Sequence, residues 1–288
     1  MKNRLSLILF ILLFLQCSNN QVIDVENLIL DIPNCKITSS EDRNKDYQSE
    51  NEKNSLLIVG HAYGKPGVGN FFPVSLTNYI EKNQSKSNNF VVLNGDFVRE
   101  ASEENLNRVK TYIDSKFDGY FISVGNHDIN VSYETYIDIF KRDLFYREFN
   151  NFLLIAANFS NYNWQPTELQ KQNINTIINN SDKKIVILNS HQLFWSEIEG
   201  IDISPNSYDL LETELSKTPL EWLEINEDKY LIVISGDYGV PIDQNTSCYS
   251  VSNNLFIANG IGDKDNDTII TIKDYDDHLV LKEELLTK

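Results

Sequence analysis

Strand-length apolar runs that alternate with helical segments, runs with no polar face, and a reactive side chain at the end of one run after another together predict an α/β fold. "SLLIVGH", "NFVVLNGD", "GYFISVGNHD", "KKIVILNSH" and "LIVISGD" are the principal runs, and their alternation with helix-like stretches is the order expected of strands joined by crossovers. Within them "LLIV", "FVVL" and "IVIL" are continuous rather than alternating, as in sheets covered on both faces. The five runs end on His61, Asp96, Asn126-His127-Asp128, His191 and Asp237. In such sheets ligands collect beyond the carboxyl ends of the strands. One Gly-Asp at a strand end is ordinary turn chemistry; a metal-competent or proton-transferring group at the end of five strands points to a site.

The elements follow in order from Ser55. "SLLIVGH" reads as a strand, "VSLTNYIEKN" as a helix, "NFVVLNGD" as a strand and "SEENLNRVKTYIDSKF" as a helix. "GYFISVGNHD" is a strand, "YETYIDIFKRDLFY" (133–146) a helix, "NFLLIAANF" a strand and "TELQKQNINTIINNS" a helix. "KKIVILNSH" is a strand, "TPLEWLEINEDKY" leads into the strand "LIVISGD", and "NNLFIANGIGD" and "DTIITIKDY" close the chain as strands. Hydrophobic period and flanking turn residues decide each assignment.

The chain has 288 residues, 41% of them hydrophobic. That is a globular composition, long enough for one large domain or two small ones. A formal net charge of −17 leaves no general electrostatic footprint for a phosphate backbone, so no nucleic-acid partner is expected.

Lys2 and Arg4 precede "LSLILFILLFLQC", which ends at Cys17. A basic start followed by an apolar segment of about a dozen residues is the pattern of a secretory signal, and it is shorter than the roughly 20 residues of a membrane span. Residues 1–16 are therefore expected to be a signal peptide. Residues 17–54, with the polar stretch "KITSSEDRNKDYQSENEKN", are expected to be a flexible tether, and residues 55–288 the folded domain. A cysteine that closes such a run resembles the lipobox of bacterial lipoproteins. The resemblance implies lipidation at Cys17, a membrane anchor and a place in the cell envelope; a soluble exported protein is the alternative. Cys35 and Cys248 then remain, either as a disulfide suited to export or as two separate buried thiols.

The sequence Gly95-Asp96, then Gly125-Asn126-His127-Asp128 about thirty residues on, then Ser190-His191, each behind an apolar strand, is a motif order with a mechanism. It resembles the calcineurin-like metallophosphoesterase family. The resemblance runs roughly from Ser55 to Asp274 and takes in "QPTELQKQNINTIINNSDKKIVILNSHQLFW" and the Gly-rich "NGIGD". It implies a four-layer α/β/β/α sandwich, two mixed sheets flanked by helices, and an enzyme: a metal-dependent phosphoric ester hydrolase acting on mono- or diesters. In that chemistry divalent cations clamp the ester and generate a nucleophile from water at neutral pH.

Carried over residue by residue, the resemblance implies that Asp96 bridges metals, that Asn126 gives an amide oxygen and that His191 gives an imidazole nitrogen. Such donors suit Mn, Fe or Zn. His127 matches the histidine that stabilises the phosphoryl group or protonates the leaving oxygen, and Asp128 is expected to hold its ring. Two motifs depart from the family. Its Asp-x-His is here "VGHAYG", with His61 for the Asp and Tyr63 for the His; its Gly-His-x-His is here "SGDYGVP", with Asp237 and Gly239 in the two histidine places. One metal site thus keeps Asp96, Asn126, His191 and Asp237. The other is left with His61, Asp96 and Tyr63, a poor ligand because its phenol must lose a proton near pH 10. His61 is expected to ligate metal or meet the substrate phosphate, and one or two ions are expected per chain.

The location suggests a phosphorylated small molecule, glycan or lipid as substrate. The alternatives are a catalytically inactive envelope binding module on the same fold, or strand-end residues that are only structural. Tyr63, Trp195 and Tyr238 lie beside the motifs and read either as an aromatic wall for an organic group or as packing.

Overall fold

A strand whose two faces are both apolar must be covered twice, and the fold does this with paired sheets and outer helices. The computed structural model describes residues 27–33, 35, 51–64, 69–83, 88–160, 166–196, 198, 201, 203, 205–206, 222–239, 246–251 and 254–287. The elements are β1 (Leu28–Asp31), β2 (Glu52–Gly60), α1 (Val74–Asn83), β3 (Asn89–Asn94), α2 (Glu103–Lys116), β4 (Gly119–Ser123), a 3-10 turn (His127–Ile129), α3 (Tyr133–Phe140), β5 (Leu144–Glu148), β6 (Phe152–Ala157), α4 (Glu168–Asn180), β7 (Ile185–Ser190), β8 (Tyr230–Ser235), β9 (Thr246–Val251), β10 (Asn254–Asn259), β11 (Thr268–Tyr275) and β12 (Leu279–Leu285). They form two six-stranded sheets, β1-β12-β11-β2-β3-β4 and β5-β6-β7-β8-β10-β9. In the first, β2, β3 and β4 run parallel; in the second, β6, β7, β8 and β10 do. Both sheets are mixed, because β11 and β9 pair antiparallel with their neighbours. The expected α/β four-layer architecture is therefore present.

The period-two alternation of a strand divides the core. In β6, β7 and β8, Leu154, Ala156, Ile187, Ile232 and Ile234 enter the main cluster, which also holds Leu56, Ile58, Val92 and Ile122 of the first sheet. Their neighbours Leu153, Ile155, Val186, Leu188, Leu231 and Val233 join Ile174 and Ile178 of α4 in a second cluster. Leu76 and Ile80 of α1 and Leu106, Val109 and Ile113 of α2 complete the first. Each fully buried side chain of this size stabilises by about 1.5–3 kcal/mol. The helices begin where their caps allow. Ser102 accepts from Asn105 N–H ahead of Glu103 and Glu104, and Thr167 and Gln170 form a reciprocal capping box, each satisfying donors that the first turn leaves open.

Three sequence expectations are corrected. The helix expected over 133–146 ends at Phe140: Lys141 adopts φ 69°, a left-handed stop, and Leu144–Glu148 becomes the edge strand β5 beside β6. The apolar spacing of "FKRDLFY" fits either period, and pairing with β6 decides. Strands β9 and β12 were not anticipated. The tether expected over 17–54 is interrupted, because Leu28–Asp31 pairs in parallel with Leu279–Lys282. Leu28 is fully buried, so the folded unit starts well before Ser55. A disulfide between Cys35 and Cys248 resolves the two readings of those thiols and links the segment after β1 to β9, an outer strand of the other sheet.

At the end of the sheets away from the strand-end histidines, Asp274 is fully buried. It accepts from Asn54 Nδ2 (3.0 Å), Asn150 N–H (2.9 Å), Asn151 N–H (3.2 Å) and Asn151 Nδ2 (2.7 Å), which clasps the β5–β6 turn to β11. Because the disulfide closes a separation of 213 residues, its loss frees a large unfolded ensemble. Cys248→Ser is expected to cost about 2–5 kcal/mol, read as a drop in thermal midpoint. A midpoint unmoved by the substitution and by reductant would show that the disulfide contributes nothing to stability beyond the pairing of β1 with β12.

Candidate metal centre

The carboxyl ends of β2, β3 and β4 meet those of β7, β8 and β10 because backbone approaches backbone there. Ile261 N–H, just past β10, donates to Gly60 O (3.0 Å), and Gly236, just past β8, lies so close to Asn94 O at the end of β3 that a Cβ there would collide with it. Asn94 Nδ2, at the end of β3, donates to Asn189 Oδ1 (3.3 Å) and Ile234 O (3.1 Å) in the other sheet. Glycine also allows close contact at two points of the site. At Gly95, φ +77°, a Cβ would run into the His191 ring; at Gly125 it would run into Asp96 Oδ1. His61 and Asp96 themselves adopt positive φ, 48° and 51°. For residues other than glycine that conformation is held by surrounding structure, and it is common at functional sites.

Asp96 sits at the centre of the constellation. Its Oδ2 lies 3.7 Å from His61 Nε2 and its Oδ1 3.4 Å from His191 Nε2; Oδ1 also accepts from His127 N–H (3.1 Å). Asp237 Oδ1 lies 3.9 Å from His191 Nε2. His61, Asp96, His191 and Asp237 are all buried. Asn126 precedes His127 in the same turn, and its Oδ1 is buried without a hydrogen-bond partner, as is His191 Nε2.

The histidines share one arrangement. His61 Nδ1 is 3.0 Å from Ile261 O, His127 Nδ1 is 2.8 Å from Arg99 O and His191 Nδ1 is 3.0 Å from Asn94 O. A carbonyl oxygen only accepts, so each Nδ1 carries the proton and each Nε2 presents its lone pair when the ring is neutral. This is how proteins orient metal-ligating imidazoles. Burial lowers the pKa of His61, although Asp96 opposes it. At His191 burial also acts to lower it, but Asp96, Asp237 and the Asn94 carbonyl together prevail and raise it. Burial, with Asp96, Asp128 and Asp237, raises the Tyr63 phenol well above its ordinary range.

The donor set fits a divalent cation. Its atoms are carboxylate and amide oxygens and imidazole nitrogens, two of them buried and orphaned. The His191–Asp96 separation is close to the ~3.4 Å edge of a tetrahedron with ~2.1 Å metal–ligand bonds. The groups stand as near-neighbour pairs. Among the described residues, no three His, Cys, Asp or Glu side chains stand together closely enough to hold a metal ion. A cavity of about 380 Å³ lined by Glu52, Asn89, Lys82, Lys273 and Glu284, among others, lies near the starts of β2 and β3 and contains none of these groups.

Asp128 does something other than expected. It does not hold the His127 ring, whose Nδ1 faces Arg99 O. Its Oδ2 accepts from Asp96 N–H and Gly125 N–H (both 2.8 Å), and its Oδ1 from Phe97 N–H (2.9 Å) and Val98 N–H (3.2 Å). Fully buried, it ties the turn after β3 to the turn after β4. Burial and the charge of Asp96 push its carboxyl upward, against the pull of the backbone donors. The aromatic wall is also partly corrected. Trp195 Nε1 donates to Ser235 Oγ (2.8 Å) and Tyr238 Oη pairs with Ser247 Oγ (2.6 Å), both deep in the second cluster. Of the three rings, Tyr63 alone has close ring contacts with the site's histidines, 4.4 Å from His61 and 5.2 Å from His127 between centroids. Residue Cys17 lies outside the described residues.

The oxygen and nitrogen donors gather beyond the carboxyl ends of the strands of an α/β sandwich, where such folds place their ligand sites. The chain belongs to the calcineurin-like phosphoesterase family, whose model matches residues 69–218. The matched stretch contains Asp96, Asn126, His127, Asp128 and His191; the departures at His61, Tyr63, Asp237 and Gly239 fall outside it. Members of this family normally bind divalent metals. Among solved structures, Vps29 complexed with zinc from Entamoeba histolytica is 10% identical, over 81% of this chain and 92% of that one, with a TM-score of 0.38. Vacuolar Protein Sorting 29 from Cryptosporidium parvum is 8% identical, over 83% and 100%, with a TM-score of 0.37. No curated protein matched.

Removing the Asp128 carboxylate strands four buried backbone donors. Asp128→Ala is expected to destabilise by roughly 3 kcal/mol or more, seen as a lower denaturation midpoint even without metal. A variant as stable as the parent would mean that these bonds do not hold the two turns.

Proposed function

We propose that this chain is an exported, metal-dependent phosphoesterase, anchored to the cell envelope through lipid at Cys17. The observation that supports it most is the shared pose of the histidines: Nδ1–H is held by a backbone carbonyl, and two of the Nε2 atoms are turned toward Asp96. Asp96, Asn126, His191 and Asp237 would hold the cation, with His61 facing the other oxygen of Asp96. When bound, a divalent ion supplies positive charge to the phosphoryl oxygens and lowers the pKa of water. His127 sits at the rim of the turn, its tautomer set by Arg99 O, so a protonated Nε2 can give its proton to the leaving oxygen. In the net reaction water adds to phosphorus, the P–O ester bond breaks, and a proton ends on the departing alcohol. The substrate class is a phosphate mono- or diester, in the envelope a phosphorylated small molecule, glycan or lipid.

The second reading, an inactive binding module on the same fold, is favoured by Tyr63 and Gly239, which replace two ligands of the family pattern. Activity separates the two. Purified protein with Mn²⁺ is expected to hydrolyse an aryl phosphate or diester, to lose that activity to chelator and to regain it with metal. His127→Ala should lower kcat by about 10²-fold or more, and Asp96→Ala should abolish both turnover and metal retention. Rates indifferent to both substitutions would remove the hydrolase reading. Separately, Cys17→Ser is expected to move the protein from the membrane fraction to the soluble exported fraction; continued membrane retention would argue against a lipid at that residue.

A further inference from the structure

A sheet face that lies under a helix is normally apolar, and the first sheet breaks this rule at the amino end of β2. In β11, Ile270 and Ile272 enter the main core, so Thr271 and Lys273 turn to the opposite face. The register sets Thr271 beside Leu57 of β2 and Lys282 of β12, and Lys273 beside Ser55. The last turns of α1 stand over this polar patch, and between them lies the cavity of about 380 Å³. Its size is that of a small-molecule site. Asn78 and Lys82 of α1 and Leu285 of β12, which line it, are exposed, whereas Asn89 and Thr271 are buried, so the cleft runs from solvent to the sheet. A smaller recess of about 50 Å³ shares Tyr79 and Thr271 with it and ends on Leu57, Ile80, Phe90 and Phe117.

We infer that this cleft is a sugar site, taking a neutral N-acetylated hexosamine with its hydroxyls on the polar walls and its acetyl methyl in the recess. The charges of the walls cancel: Lys82 and Lys273 are matched by Glu52 and Glu284. Lys273 Nζ lies 3.9 Å from Glu52 Oε2, and Glu284 Oε1 lies 3.1 Å from Lys282 Nζ. An anion or a cation therefore gains little there. The remaining polar groups are hydroxyls and amides, among them Ser55, Thr271, Asn78 and Asn89, which both donate and accept, as sugar hydroxyls do. Burial and the charge of Glu284 raise the Tyr79 phenol to about 12, so its hydroxyl stays a donor. The apolar recess adds what a plain hexose cannot use. The inference is independent of the phosphoesterase reading, because the cleft contains none of the groups at the carboxyl ends of the strands.

Ligand-observed NMR with the full-length protein tests it. N-acetylglucosamine is expected to bind with a dissociation constant on the order of a millimolar, and about fourfold more tightly than glucose, the scale of one buried methyl group. Thr271→Val keeps the shape of the side chain and removes its hydroxyl; it should weaken the sugar about fivefold. Asn78→Trp, at an exposed position of α1, should block the cleft and abolish binding with the thermal midpoint near that of the parent. His127→Ala should bind the sugar as the parent does. No binding, glucose bound as tightly as N-acetylglucosamine, or affinity unchanged in Asn78→Trp would each overturn the inference. Loss of binding in a folded His127→Ala would also overturn it, by placing the sugar at the strand-end site. Sugar binding with these properties in a protein that hydrolyses no phosphate ester would uphold it while the enzyme reading fails.

Discussion

The site depends first on a carboxylate that performs no chemistry. Asp128 is buried among four backbone N–H groups drawn from two different turns, those after β3 and β4. Backbone donors in a low-dielectric interior must be paired, and no side chain of this turn other than a carboxylate can accept from four at once. By taking Asp96 N–H and Gly125 N–H on one oxygen, it fixes where the Asp96 side chain leaves the chain. Asp96 then accepts from His127 N–H, so the positions of the central carboxylate and of the rim histidine follow from a single buried group. The positive φ of Asp96 is sustained by the same bonds.

The second constraint is the seam between the sheets. The donors come from β2, β3 and β4 on one side and from β7 and β8 on the other, and they converge only because the two sheets touch at their carboxyl ends through backbone. Glycine at 95 and 125 lets the His191 ring and the Asp96 carboxylate lie against main chain. The amide of Asn94 then bridges the sheets beneath the site. At the far end Asp274 clasps them again, and the disulfide joins segments of the two sheets. A sandwich held at several places keeps the distances between donors from opposite sheets, which a metal site requires.

Family membership and departure from the family pattern divide the chain unevenly. The stretch that matches the family model carries Asp96, Asn126, His127 and His191; within it the His191 imidazole and the His127 N–H both face the Asp96 carboxylate. The altered positions lie before and after it, and in space they flank Asp96 on both sides: His61 faces its Oδ2, whereas Asp237 stands by His191 on the Oδ1 side.

Much of this was legible in the sequence, for definite reasons. The helices at 74–83, 103–116 and 168–180 announce themselves through period and caps, and the parallel strands through continuous apolar runs ending on polar groups. Local pattern therefore determined the α/β class and the pole of the sheets at which His61, Asp96, His127, His191 and Asp237 gather. Tertiary structure decided what depends on distant partners. Leu144–Glu148 is a strand because β6 offers an edge, and Leu28–Asp31 is one because β12 does. Cys35 meets Cys248 only after both sheets are built. Asp128 was assigned to a neighbouring imidazole because side-chain motifs are visible in a sequence, whereas the backbone N–H groups that claim it carry no residue identity. At Gly239, φ +95°, a Cβ would stand 2.5 Å from Gly260 O, a constraint on what residue fits there that only the folded chain brings about.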